Sequence, residues 1–249
     1  MKKSNFILSL IMAMLGIQLL IERFGPENIA DQLRRPFGLI VQIVLILVLI
    51  VIALYWKLQE AELTTKELAL IAIYSAFTAA SRIPFIVFPS IQPCTFLIFA
   101  MGYVFGPLIG FIVGANNALL SNFLIGQGPW TIYQMFTWGF VGIIGGLVNR
   151  NKKNTPNRTL NTLLGFALGI FYGWLMNLWF WILFISPHTW QTFFVTSLQS
   201  LPFDLLHAVG NVVFFWFFSN QTITILYRYK NRFTFKYVPP EETLGDIEE

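Results

Sequence analysis

Asp204, His207 and Asn211 lie three and four positions apart in the apolar run LPFDLLHAVGNVV. On a helix that spacing puts all three on one face. A carboxylate and an imidazole one turn apart are the residue types of acid–base catalysis. With a neighbouring amide they also make a hydrogen-bonding wall for a polar small molecule. A lone histidine on an apolar helix is usually a satisfied core residue, but three polar groups on one face read as a site. Arg82, in the sequence Ser81-Arg82-Ile83-Pro84, has two readings. It can snorkel to headgroups, or it can pair with Asp204, since each is costly alone inside a membrane.

The loop GQGPWTIYQM at 126–135 supplies a second group. Gly126, Gly128 and Pro129 set a tight turn, and Trp130, Tyr133 and Gln134 follow on adjacent helical turns. Aromatics at such a place commonly anchor a membrane interface. Gln134 one turn further in, with Asn116, Asn117 and Asn122 on the preceding helix, favours a ligand site. Asn177 joins them from a Trp-rich run holding Trp174, Trp179 and Trp181, followed by His188 and Trp190. No metal site is expected from two histidines and the single Cys94 without an HExxH pattern. Cys94 reads as a small buried hydrophobe. No Ser-His-Asp arrangement and no phosphate-binding glycine loop is legible, so neither a resident cofactor nor ATP hydrolysis is expected.

The elements that must position these groups are membrane helices. The 249 residues are 56% hydrophobic and 11% charged, with 26 phenylalanines, whereas a soluble domain carries roughly 25% charge. The chain therefore reads as an all-α integral membrane protein. Its pI near 9.2 does not indicate nucleic acid, because the charge is placed by topology. Of 16 Lys and Arg, twelve fall in segments assigned to one membrane side, including Lys2, Lys57, Lys152, Arg158 and Arg232. That is the positive-inside pattern, and it places both termini in the cytoplasm of a multi-pass protein of the cell membrane.

Four parts are expected. Residues 1–57 form a two-helix extension, with apolar runs at 6–21 and 37–56. The first resembles a signal peptide but is followed by Glu22 and Arg23 rather than a small-residue cleavage site, so it is read as retained. The second has almost no polar atoms and is assigned to lipid or to capping a bundle, with no part in chemistry. Residues 58–66 are a cytoplasmic linker. Residues 67–232 form a six-helix module, its helices near 67–84, 94–105, 107–125, 131–149, 160–185 and 200–228. Residues 233–249 read as a disordered cytoplasmic tail.

The first module helix carries Ala72, Ala76 and Ala80 at intervals of four. Small side chains on one face let another helix approach closely. The partner is either within the bundle or in a different subunit.

The module resembles the substrate-binding subunit (S component) of energy-coupling factor vitamin transporters. The resemblance rests on six helices with both ends inside and on the Ala72, Ala76, Ala80 face. It also rests on the run MGYVFGPLIGFIVGA at 101–115 and the block GPWTIYQMFTWGFVG that ends at Gly142. It implies that the alanine face docks on a shared transmembrane coupling subunit, itself carried by two cytoplasmic ATPases. The family binds its vitamin near the outer membrane face and is thought to topple in the bilayer to release it inside. The resemblance further implies that loop 85–93 is a lid and that Arg82, Trp130, Tyr133, Gln134, Asn177, Asp204, His207 and Asn211 serve the pocket. The GPWT block is reminiscent of cobalamin-type members, which makes cobalamin or a related corrinoid the favoured ligand. Folate, pantothenate, pyridoxine and a queuosine precursor are the alternatives. The N-terminal extension departs from the family plan. Two other classes compete: a membrane-embedded enzyme using Asp204 and His207, and an assembly protein in which only the alanine face matters.

Overall fold

The computed structural model of the chain describes residues 36–61, 63–149 and 156–232, together with Ser9 and Ala13. The expected helix at 6–21 and the tail at 233–249 lie outside the described residues. From residue 36 on, the described residues form seven α-helices: α1 (Pro36–Gln59), α2 (Thr65–Ala80), α3 (Cys94–Phe105), α4 (Pro107–Ile125), α5 (Trp130–Val148), α6 (Arg158–Phe184) and α7 (Trp190–Arg232). A 3-10 turn, Ile83–Phe85, follows α2. The described residues are all helix and connection, which is what an apolar chain demands where water cannot satisfy backbone groups. Taking the 3-10 turn with α2, five of the helical stretches (α2, α4, α5, α6 and α7) are long and apolar enough to cross a membrane.

Local sequence sets several helix ends. Thr64 and Glu67 form a capping box, in which Thr64 Oγ1 accepts from the Glu67 amide and a Glu67 carboxylate oxygen accepts from the Thr64 amide at 2.9 Å. That starts α2 two residues before the expected position. Asn157 caps α6 by accepting from the Leu160 amide at 3.0 Å. Gly106, at φ 101°, breaks α3 from α4, and Pro107 opens the next helix.

α3 lies at the centre of the core. Its residues 94–104 are all buried, as expected of a helix that is apolar on every side. With 12 residues it is roughly 18 Å long at 1.5 Å per residue, short of a full crossing. Helices α4 and α5 meet backbone to backbone. A Cβ on Gly142 would stand 2.1 Å from the Gly110 carbonyl group, and one on Gly110 would stand 2.5 Å from the Gly142 oxygen. Such contacts are the small-residue packing of membrane helices.

Helices α6 and α7 pair along a glycine ridge that the expectations above do not include. Gly165, Gly169 and Gly173 recur every four residues and lie against Phe215, Ala208 and Asp204 respectively. The expected break before residue 200 is absent: α7 runs unbroken for 43 residues with Pro202 inside it. Proline removes one backbone donor and one local bond, but the long α6 partner holds both flanks in register. At 43 residues α7 is roughly 65 Å long, more than the roughly 30 Å hydrocarbon core of a bilayer.

Of the two places expected for the helix at 37–56, facing lipid or capping a bundle, its contacts fit the second. α1 packs against α4, α5 and α6. Val51 joins the main core, and Leu54 and Tyr55 pack onto it. Tyr55 Oη donates to Asn116 Oδ1 on α4, and Asn116 Nδ2 in turn donates to Ser75 Oγ on α2 at 3.4 Å.

Candidate functional site

Alternating chain direction brings the end of α2, the loop 85–93, the start of α5 and the middle stretches of α6 and α7 to one end of the bundle. There they line a half-open cavity of about 300 Å³. Arg82, Gln134, Asp204 and His207 line it, and Tyr172 and Gly173 on α6 complete its wall. From the loop, Ser90 and Gln92 reach the same space.

Arg82 is 4% exposed and does not snorkel. The alternative reading, an ion pair with Asp204, is not met either. Arg82 Nε donates to Gln92 Oε1 at 2.8 Å, while Nη1 donates to Ser121 Oγ and, at 3.2 Å, to Asn122 Oδ1. The guanidinium lies 4.5 Å above the Trp138 ring centroid, a favourable place for a cation. Asn122 Nδ2 passes the network on to Gln134 Oε1 at 2.8 Å, and Gln134 Nε2 donates to Tyr172 Oη at 3.0 Å. The loop, α2, α4, α5 and α6 are thus tied through one string of polar side chains, as buried polar groups require.

Asp204 has its own support. Its Oδ2 accepts from Ser200 Oγ at 2.9 Å and from Asn177 Nδ2 at 3.1 Å. The carboxylate rests against the α6 backbone at Gly173, where any Cβ would come within 2.3 Å of its carbon. Only glycine leaves room for an acid at this depth. One turn on, His207 Nδ1 lies 2.7 Å from the Ser90 carbonyl, so that nitrogen carries the proton. Its Nε2 faces Thr95 Oγ1 at 3.4 Å, and Trp138 Nε1 faces the same hydroxyl at 3.4 Å. The His207 ring lies against Tyr172 with 4.9 Å between centroids, and Tyr172 against Trp138 at 4.9 Å, the planes tilted by 41° and 33°. With both ring nitrogens engaged, His207 ties the loop to α7 and is not set up as a proton carrier.

Of the eight residues expected at the pocket, Arg82, Gln134, Asp204 and His207 are on its wall. Asn177 stands behind Asp204. The other three are elsewhere. Trp130 packs on Trp179 at 5.8 Å, away from the cavity. Tyr133 is buried on a different face of α5 from Gln134, and Asn211 donates to the Gly165 carbonyl at 3.2 Å between helices. Each lies on the right helix, but at a rotation or depth that spacing alone does not fix. Asn116 likewise turns towards α1 and α2. Tyr172, Ser90 and Gln92 were missed. The pattern Tyr172-Gly173 followed by Met176-Asn177 was the available signal, since it repeats at four residues along α6.

A larger cavity, about 510 Å³, lies at the opposite end of the bundle. Its polar side chains have a structural task. Lys230 donates to the Val104 carbonyl and Asn149 to the Tyr103 carbonyl, which satisfies the open end of α3. The site at the Arg82 end has instead several polar groups converging on a half-open cleft, the usual form of a small-molecule site. No group of three or more metal-ligating side chains occurs among the described residues.

The described residues thus form a membrane-helix bundle with a polar-lined cavity at one end. Residues 62–222 match the family model described as ECF-type riboflavin transporter, S component. The chain belongs to this family of energy-coupling factor S components and is a substrate-binding subunit of a vitamin transporter, a family of transport proteins rather than of enzymes. Comparison with the curated proteins and with the solved structures gave no match.

Proposed function

We propose that this subunit binds a vitamin in the cavity at the Arg82 end, facing the outside of the cell, and delivers it through an energy-coupling factor complex. The basic end of the bundle, with Lys57, Arg158, Arg228 and Arg232, is then cytoplasmic. Arg82, Gln134, Tyr172, Asp204 and His207 contact the ligand, and loop 85–93 covers it.

Riboflavin is the first candidate. The observation that carries this is the wall itself, in which the Tyr172 and His207 rings lie 4.9 Å apart, tilted at 41°, beside a string of amides. A flat heterocycle with carbonyl and N–H edges suits such a wall. The family's description names riboflavin as well. Cobalamin, favoured from the GPWT block, suits the cavity less. About 300 Å³ is at the lower end of the roughly 300–1,000 Å³ range of small-molecule pockets, and a corrin with its nucleotide loop is several times larger than a flavin.

Docking on the coupling subunit falls to α2. Ala72, Ala76 and Ala80 are all exposed, with Ile73 and Phe77 beside them, while Ser75, Thr78 and Ala79 turn inward. Among the described residues the alanine stripe is therefore not used for packing within the chain, and it offers a smooth apolar track to a partner helix.

The test is titration of the detergent-solubilised protein, without its ATPases, against riboflavin, cobalamin, folate, pantothenate and pyridoxine. One-to-one binding of riboflavin with quenching of its fluorescence is the expected result. Binding of cobalamin instead would overturn the ligand assignment, and silence across the panel from a folded sample would overturn the assignment of the cavity.

A further inference from the structure

The cavity holds one guanidinium and one carboxylate that do not neutralise each other. Among the described residues, Arg82 commits Nε and Nη1 to protein acceptors and leaves Nη2 without one. Asp204 takes both of its protein donors on Oδ2 and leaves Oδ1 without one. Both residues line the same cavity, and they are 4% and 8% exposed. The remaining lining side chains are neutral, since His207 donates through Nδ1 to Ser90 and faces the Thr95 hydroxyl through Nε2.

A charge held away from water in a membrane is expensive, and the expense falls only when its open lone pair or N–H finds a partner. Here each charge is fixed by its own scaffold. Arg82 is held by Gln92, Ser121, Asn122 and the Trp138 face. Asp204 is held by Ser200, Asn177 and the gap at Gly173. Neither scaffold needs the other residue, so the two open atoms remain for a ligand. Filling the site with a net anion or a net cation would add an uncompensated charge to a cavity that is balanced as built.

Resting on the reading of this cavity as the vitamin site, we propose that it selects a ligand of zero net charge gripped at two points. A carbonyl or other acceptor takes Arg82 Nη2, and an N–H or hydroxyl donor takes Asp204 Oδ1. The free vitamin is accepted and its phosphate ester is refused. For a flavin, the ring carbonyls and the ribityl hydroxyls supply the two kinds of contact.

Riboflavin and FMN share ring and ribityl chain and differ by a phosphate, so they form the test pair. Fluorescence titration of the full-length protein should show riboflavin bound and FMN weaker by about a hundredfold or more, the scale of one uncompensated buried charge. Asp204→Asn should weaken riboflavin by roughly ten- to a hundredfold, the scale of a lost charge-assisted hydrogen bond. It should also narrow the preference over FMN, because the cavity now carries a net positive charge. Arg82→Gln should weaken riboflavin similarly and leave FMN excluded. Ser200→Ala, which loosens Asp204 without removing its charge, should weaken riboflavin while keeping the preference, and it serves if either charge variant fails to fold. Riboflavin and FMN bound equally by the unaltered protein, or an unchanged preference in Asp204→Asn, would overturn the two-point rule and leave the vitamin site standing. If neither flavin binds, the flavin assignment falls and a calorimetric panel decides the charge rule. A neutral binder, cobalamin or pyridoxine, upholds it. Thiamin, folate or pantothenate as the binder overturns it, and no binder at all overturns both the rule and the site.

Discussion

Asn122 Oδ1 accepts from Arg82 Nη1 at 3.2 Å while Asn122 Nδ2 donates to Gln134 Oε1 at 2.8 Å, so one amide holds the cation and α5 together. Both atoms of this side chain are needed in their present orientation, because Arg82 only donates and Gln134 Oε1 only accepts.

Replacing Asn122 by leucine keeps the branched outline, at a somewhat larger volume, and removes the bonds to Arg82 and Gln134 together with one to Thr131. Arg82 and Gln134 each lose a buried partner, at roughly 1–3 kcal/mol for each unsatisfied group. Asn122→Leu is expected to weaken vitamin binding about tenfold or more and to lower the thermal transition of the purified protein. Calorimetry and a melting curve on one preparation check the two effects together.

The alanine face gives a prediction that separates transport from binding. Ala76 is exposed, in line with Ala72 and Ala80, and it lies away from the cavity-lining residues. Ala76→Trp should abolish ATP-dependent uptake in cells expressing the whole complex, yet leave the dissociation constant of the isolated subunit within about twofold, since surface changes away from a site have small energies. Uptake that survives this change would remove α2 as the docking helix.

Gly110 and Gly142 test the packing of α4 on α5. The Cβ of Gly142→Ala would sit 2.1 Å from backbone atoms that have nowhere to move. The helices must separate, and the loss of stability should be about 1–3 kcal/mol, typical of overpacking. Gly106→Ala, where nothing lies within 4 Å but φ is 101°, strains the chain instead and should lower the melting temperature without altering helix spacing. Thermal unfolding in detergent measures both.

The bond from His207 Nδ1 to the Ser90 carbonyl fastens loop 85–93 to α7. His207→Ala removes it and also removes the ring lying against Tyr172. Vitamin dissociation in stopped-flow should accelerate more than association, because related changes at one site act mostly on the off-rate. Equal changes in both rates would argue against the loop as a cover.

Removal of residues 1–60 should leave vitamin binding intact, because among the described residues none of α1 lines the cavity. It should lower stability, since Val51 leaves the core and Asn116 loses the Tyr55 hydroxyl. The single change Tyr55→Phe should show the smaller part of that loss, about 1 kcal/mol. Melting curves of the two variants, set beside their titrations, check this.

The sequence by itself determined that this is a helical membrane protein and where most of the described helices lie to within a few residues, the start of α7 at Trp190 rather than 200 being the exception. That follows because the bilayer admits no unsatisfied backbone, so apolar length and the breaks at Gly106-Pro107 and Gly126 leave little choice. It also placed Arg82, Gln134, Asp204 and His207 together, since charged and polar groups in such helices must turn inward. Only the tertiary structure decided their partners. Asp204 meets Ser200 and Asn177 rather than Arg82, and Arg82 meets amides and an indole. Those choices depend on helix rotation and depth, which are fixed by close contacts between distant glycines and their neighbours, Gly173 against Asp204 and Gly142 against Gly110. The same rotations carry Trp130, Tyr133 and Asn211 away from the cavity and bring Tyr172 and the loop's Ser90 and Gln92 to it. A periodic pattern records which face of a helix is polar, but the angle at which two helices meet is a property of both surfaces at once.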